Sequence, residues 1–211
     1  MKQLRIILLV ILCVVTVQIN HFIADKGGLW WIYHHITPKK QLENIASNLK
    51  ESLSAIPSDL IQKIPETGTV ILVDFRQPSY KKRLWVVQNK QIKINCRVAH
   101  GKNSGETFTT SFSNKPESNK SCIGYFKTGN VYWGSKGLAM RIYGMEPGIN
   151  DNAYDRGIVF HGSDYVTSSF LLRNGRIGRS LGCFATSYQD NSKIISLCKY
   201  GAKLYAVGTE A

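Results

Sequence analysis

Two periodicities divide the chain. Leu42, Ile45, Leu49, Leu53 and Ile56 recur at three- and four-residue intervals, the repeat of a single apolar stripe on an α-helix. Pro57 stops that helix, because proline has no amide hydrogen and clashes with the preceding turn. A short second helix is predicted over Ser58–Ile64, ending at Pro65. From Gly68 onward the pattern becomes strand-like. Thr69–Phe75 is apolar and β-branched, and Leu84–Val87 and Ile92–Val98 flank Gln88–Gln91 as a predicted hairpin. Glycines at 101, 105, 124, 129, 134, 137, 144 and 148 then punctuate short apolar runs. The best further strands are Ile123–Lys127, Leu138–Tyr143, Gly157–Phe160 and Lys203–Val207, with a short helix at Lys193–Leu197. The expected class is mainly β with peripheral helices.

The N-terminus has a different design. Lys2 and Arg5 precede the apolar run Ile6–Val17, interrupted only by Cys13 and Thr16. A basic start followed by an apolar stretch shorter than the ~20 residues of a membrane span is the layout of an export signal. No clean small-x-small cleavage site follows, so residues 1–24 read as a signal peptide or as an N-terminal anchor, with residues 6–19 held in the inner membrane in the second case. Either way the rest of the chain is expected in the periplasm or cell envelope. Trp30-Trp31-Ile32-Tyr33 is an aromatic patch, interfacial if the anchor is retained and early core otherwise. The expected division is 1–24 for export, 36–65 as a helical extension and 66–211 as the main domain.

Charge narrows the partner. Lys and Arg number 27 against 14 Asp and Glu, giving a net charge of +13, and such a balance suits an anionic polymer or surface. There is no zinc-finger spacing, no aromatic RNA-binding strand and no single basic helix, which disfavours nucleic acid. A cell-wall polymer with free carboxylates fits as well. Of the five cysteines, Cys13 lies in the export segment, leaving Cys96, Cys122, Cys183 and Cys198. No CxxC and no ligand-spaced histidine cluster occurs, so neither a metal nor an organic cofactor is expected.

The candidate chemistry lies in Gly178-Arg179-Ser180-Leu181-Gly182-Cys183 and in Ile158-Val159-Phe160-His161-Gly162. A cysteine after a tight Ser-x-Gly turn presents its thiol at a backbone corner, where amides near Gly182 and Cys183 can face an acyl oxygen. His161 precedes Cys183 by 22 positions and can fold back as its base. A neighbouring imidazolium would lower the thiol pKa, giving a thiolate pair with a bell-shaped pH–rate profile.

Those two runs, together with Val73-Asp74-Phe75, Arg83–Val87, Val98-Ala99-His100-Gly101, Phe112-Ser113-Asn114, Ser118–Gly124 and Asn150–Ala153, resemble the murein L,D-transpeptidase catalytic domain family (YkuD-type). The resemblance covers roughly residues 66–207 in consistent order. It implies a β-sandwich or barrel-like catalytic domain that acts on peptidoglycan stem peptides. It further implies Cys183 as nucleophile forming a thioester, His161 as base, the Gly162 carbonyl orienting the imidazole, and Gly182 and Cys183 amides holding the oxyanion. Ser180, Arg179, Arg176, His100, Ser113, Asn114 and Ser121 become candidate substrate contacts. Two positions depart from the commonest motif: Leu181 stands where a second histidine is usual, and Ala185 where an arginine is usual. His100, Arg176 and Arg179 are the candidate replacements, while Arg141 and Arg156 read as structural ion partners. Hydrolysis without transfer, and murein binding with an idle thiol, are the rival functions. A papain-like protease fits poorly, because there cysteine precedes histidine and here His161 comes first.

Overall fold

The computed structural model describes residues 53–209. The predicted export segment, the Trp30–Tyr33 patch and most of the helical stripe from Leu42 lie outside the described residues. The end of that stripe is seen: Ile56 is buried and Leu53 partly buried in a cluster with Leu60, Val70, Leu72, Trp85 and Val87. The helix that follows, α1, is one turn, Ser58–Ile61, shorter than the predicted Ser58–Ile64.

Among the described residues eight strands form one sheet: β1 Thr69–Asp74, β2 Leu84–Gln88, β3 Gln91–Cys96, β4 Gly124–Gly134, β5 Gly137–Gly144, β6 Val159–Gly162, β7 Phe184–Thr186 and β8 Lys203–Val207. Their order is β3-β2-β1-β8-β4-β5-β6-β7. The pairs β1–β8 and β6–β7 are parallel and the rest antiparallel. Just past β3, Ala99 bridges Ala185 of β7, with its amide donating to the Ala185 carbonyl at 2.8 Å. The two edges of the sheet thus meet, and the fold is nearly a closed barrel. Its inside is one apolar cluster that takes Ile71, Val86, Ile94, Phe126, Met140, Phe160, Phe184 and Leu204 from all eight strands. Closure covers edges that would otherwise pair with other chains.

The predicted β2–β3 hairpin forms, and Asn89 and Lys90 take φ +48° and +63°, the left-handed pair that suits a two-residue hairpin turn. Strand β4 runs seven residues past its predicted end at Lys127 because Gly129, read as punctuation, forms with Asn130 a bulge between Thr128 and Val131. Strand β6 begins at Val159 rather than Gly157, whose φ of +67° ends the preceding turn. Strand β7 was not predicted: three residues show no alternation. Helix α2, Ser168–Asn174, was also missed, although Thr167 caps it through the Phe170 amide and Gly175 closes it in the left-handed region. Helix α3 spans Tyr188–Cys198, not only Lys193–Leu197, since Ser187 caps the Asp190 amide at 3.1 Å.

Candidate active site

Strand alternation decides what β6 and β7 offer. Phe160 pairs with Phe184, and both rings point into the core, stacked at 5.2 Å. Their neighbours therefore turn to the opposite face, where His161 is paired with Ala185. Cys183, one residue before β7, falls on that same face by the same alternation. The parallel β6–β7 pair thus brings the two residues onto adjacent strands, two register positions apart.

The imidazole has a fixed tautomer. His161 Nδ1 lies 2.9 Å from the Gly162 carbonyl, and a carbonyl only accepts, so Nδ1 carries the hydrogen and Nε2 keeps its lone pair. Gly162 has a packing reason to be glycine. A Cβ there would lie 2.3 Å from Tyr188 Cδ1 and 2.9 Å from its Cα, so a side chain would displace the start of α3. Burial lowers the pKa of His161 below 6.5; the Gly162 carbonyl opposes this and the charge of Lys136 adds to it. Burial pushes the Cys183 thiol up, partly offset by the Val159 amide and by Arg156. Both shifts disfavour the charged forms and so work against the thiolate–imidazolium pair expected from sequence. The Cys183 thiol donates to the Gly157 carbonyl at 3.6 Å.

The turn before the thiol is built from its own residues. Ser180 Oγ donates to the Cys183 carbonyl at 2.7 Å and accepts the Gly182 amide at 3.1 Å, while Gly182 sits at φ +119°. A Cβ on Gly182 would come within 2.9 Å of the Lys120 carbonyl, so glycine is required both by conformation and by space. The Gly182 amide, expected to face an oxyanion, is already spent on Ser180. Ser180 itself, expected to touch substrate, is 4% exposed and closes the turn instead.

The other expected contacts are also engaged within the protein. His100 is fully buried: its Nδ1 accepts from Arg83 at 2.8 Å and its Nε2 donates to the Gly105 carbonyl at 3.1 Å. Burial first, and then the charge of Arg83, push its pKa down to about 4; it is a neutral structural residue, not a replacement for the missing histidine. Arg176 and Arg179 both pair with Glu106, and Arg179 also donates to the Lys102 and Gly105 carbonyls. They clamp the 102–106 loop rather than standing ready for a carboxylate. Ser121 Oγ accepts the Gly101 amide, Ser113 Oγ accepts the Lys115 amide, and Asn114 bonds Asp151 and Asn152. These loops satisfy their own backbone, as Ser- and Asn-rich loops commonly do.

Several neighbours were not expected. Arg156 donates to the Ser113 and Lys120 carbonyls, both at 2.6 Å, has no ion pair among the described residues, and would lie 3.3 Å from a Cβ on Gly182. It is the cation beside the thiol, brought there by a loop 27 positions before Cys183 that no local pattern connects to it. Tyr165 packs against Gly178, where an added Cβ would lie 2.5 Å from the Tyr165 Cβ. Leu181 is 64% exposed, an apolar wall where the usual motif has histidine. Cys96, Cys122 and Cys198 are unpaired and buried, so no disulfide forms among the described residues. No group of three or more His, Cys, Asp or Glu able to hold a metal occurs among them.

A barrel-like sheet with a thiol and an oriented imidazole on adjacent parallel strands has its counterpart in a known family. A sequence model described as the L,D-transpeptidase catalytic domain matches residues 42–207, and the chain belongs to that family. No curated protein matches the sequence. Similar solved structures include an L,D-transpeptidase from Mycobacterium smegmatis, at 11% identity and TM-score 0.44, covering 66% of this chain and 58% of its own. Another is an L,D-transpeptidase from Stackebrandtia nassauensis, at 15% identity and TM-score 0.44, covering 77% and 65%. L,D-transpeptidase 1 of Mycobacterium tuberculosis gives 13% identity, TM-score 0.38 and coverage of 67% and 62%. The chain therefore spans less than two thirds of the length of these proteins.

Proposed function

We propose that this protein is a cysteine acyltransferase of the cell wall, acting on peptidoglycan stem peptides through a thioester on Cys183. The placement of Cys183 and His161 on one face of β6–β7, with His161 Nε2 unprotonated, carries this reading. The thiol rotates from the Gly157 carbonyl toward Nε2 and gives up its proton as sulfur attacks the carbonyl before the terminal D-alanine. The Cys183 amide faces the developing oxyanion; the Gly182 amide holds the turn. His161 then protonates the departing D-alanine nitrogen, leaving a thioester. An amine of a neighbouring stem resolves it after passing its proton to Nε2, which gives an L,D-cross-link. No metal or organic cofactor enters any step.

Mass spectrometry of muropeptides incubated with the full chain tests this. Loss of one D-alanine with formation of cross-linked dimers is the expected result. Loss of D-alanine without dimers would make the protein an L,D-carboxypeptidase, and unchanged muropeptides that co-sediment with the protein would make it a murein-binding protein.

The protonation states make a prediction of their own. Because His161 must be neutral to act and its pKa lies below 6.5, kcat/KM should rise with pH through a midpoint below 6.5. It should then hold level into the alkaline range, since the Cys183 pKa is raised rather than lowered. A fall in rate between pH 7 and 8.5 would restore the ion-pair mechanism.

The reading also needs an exported domain. No helix among the described residues is long and apolar enough to cross a membrane, and the basic-then-apolar start of the chain supports export with the site in the periplasm. A reporter active only outside the cytoplasm, fused after Ala211, should be active; activity of a cytoplasmic reporter there would remove peptidoglycan as substrate.

A further inference from the structure

We propose that Arg141, with Tyr132, Tyr143 and Tyr154, forms a subsite for a side-chain carboxylate of the donor stem peptide. It rests on the functional reading above and adds the specificity that reading lacks, since Arg176 and Arg179 are committed to Glu106.

The sheet register puts Arg141 beside the chemistry. Ala139 faces His161 and Arg141 faces Val159 across β5–β6. On the other side of β6, Phe160 pairs with Phe184, so Cys183 comes opposite Val159 in the continuation of the same ladder. Met140 and Ile142 point into the core, which turns Ala139, Arg141 and Tyr143 to the face of His161 and Cys183. Arg141 is two strand spacings from Cys183, about 10 Å. That is a backbone separation, and the guanidinium leans farther off, onto Tyr132 of β4 on the side of β5 away from β6, so it suits a carboxylate on a neighbouring side chain rather than that of the leaving D-alanine.

The guanidinium is held and unspent. Its central carbon lies 4.7 Å from the Tyr132 ring centroid and 5.2 Å from that of Tyr154, and Tyr154 stacks on Tyr143 at 5.1 Å with 10° between planes. The β4 bulge makes room for this row, since a Cβ on Gly129 would lie 2.4 Å from Tyr143 Cε2. Among the described arginines only the Arg141 side chain has neither a hydrogen bond nor an ion pair: those of Arg76, Arg83, Arg97, Arg156, Arg173, Arg176 and Arg179 all donate to protein groups. A guanidinium flanked by rings, with its fork of N–H donors unused, is arranged for a bidentate carboxylate.

The test uses the full chain carrying Cys183→Ala, so that ligand is not consumed. Two disaccharide tetrapeptides serve as probes, one with a free side-chain carboxylate on the residue before D-alanine and one with that group as a primary amide. With Arg141 present the free acid should bind roughly ten- to a hundredfold more tightly. Arg141→Gln should erase the preference while leaving the affinity for the amide unchanged and lowering the unfolding midpoint only slightly, since it gives up the contacts with Tyr132 and Tyr154, and Arg141→Lys should restore part of it. Equal affinity for the two probes with Arg141 present, retention of the preference in Arg141→Gln, or no binding of either probe would each overturn the subsite. If the preference holds but the protein with Cys183 intact releases no D-alanine, the enzymatic reading fails and the carboxylate subsite stands.

Discussion

Cys183→Ala should abolish D-alanine release from tetrapeptide muropeptides, with a loss on the order of 10⁴- to 10⁶-fold, the scale seen when a covalent nucleophile is removed. It should leave the fold nearly untouched. Cys183 is partly exposed, so replacing a thiol by hydrogen there removes little buried surface, and stability should change by less than about 1 kcal/mol. The same variant checks the thiol directly. Cys96, Cys122 and Cys198 are buried, with pKa values raised by burial, so iodoacetamide should modify the native protein once, at Cys183. The Cys183→Ala protein should take up no label until it unfolds. This selectivity comes from exposure, because the Cys183 pKa is itself raised. Turnover by Cys183→Ala at the wild-type rate would end the assignment at this site, and rapid labelling at another cysteine would show a different reactive thiol.

The largest stability effect is expected at Arg83. Its side chain is completely buried, and its donors reach the Val98 carbonyl at 3.1 and 2.9 Å, the Gln77 carbonyl at 2.8 Å, Thr109 Oγ1 at 3.2 Å and His100 Nδ1 at 2.8 Å. The guanidinium also lies 5.0 Å from the Phe75 ring centroid. Burial lowers its pKa to about 9, with the charge of Asp74 opposing, so it remains a cation at neutral pH. Arg83→Met keeps a long apolar chain but leaves these acceptors without a donor. Each buried unsatisfied group costs about 1–3 kcal/mol, and a loss of several kcal/mol should lower the melting midpoint by roughly 10 °C in a domain of this size. Activity should fall as well, because the His100 carbonyl accepts the Ser180 amide at 2.9 Å and Ser180 holds the turn before Cys183. Melting of the Arg83→Met protein within 2 °C of wild type would show that this network contributes little.

A cation such as Arg83 in the core cannot be anticipated from a strand-like Arg-Leu-Trp-Val-Val run, which says only that the strand is buried. The same limit applied around the thiol. The Ser-x-Gly-Cys turn and the strand-end His161-Gly162 were legible because their chemistry is local: Ser180 bonds within its own turn, and His161 bonds the next residue. His100, Arg176, Arg179, Ser113, Asn114 and Ser121 were legible as polar residues in the right segments, but not as groups already satisfied elsewhere.

The sequence by itself determined the main-chain elements whose side chains repeat with a clear period, the hairpin at Asn89-Lys90, the family, and the identity of the candidate nucleophile and base. Periodicity, turn conformations and reactive groups are properties of a few consecutive residues. Tertiary structure alone decided where the long cations point: Arg176 and Arg179 to Glu106, Arg156 to the carbonyls beside Cys183, and Arg141 to its tyrosines. It also decided the surroundings that push the His161 pKa down and the Cys183 pKa up. An arginine reaches several ångströms in many directions, and a pKa follows the burial and charges around the group; both depend on residues far away in the chain that only the closing of the sheet brings together.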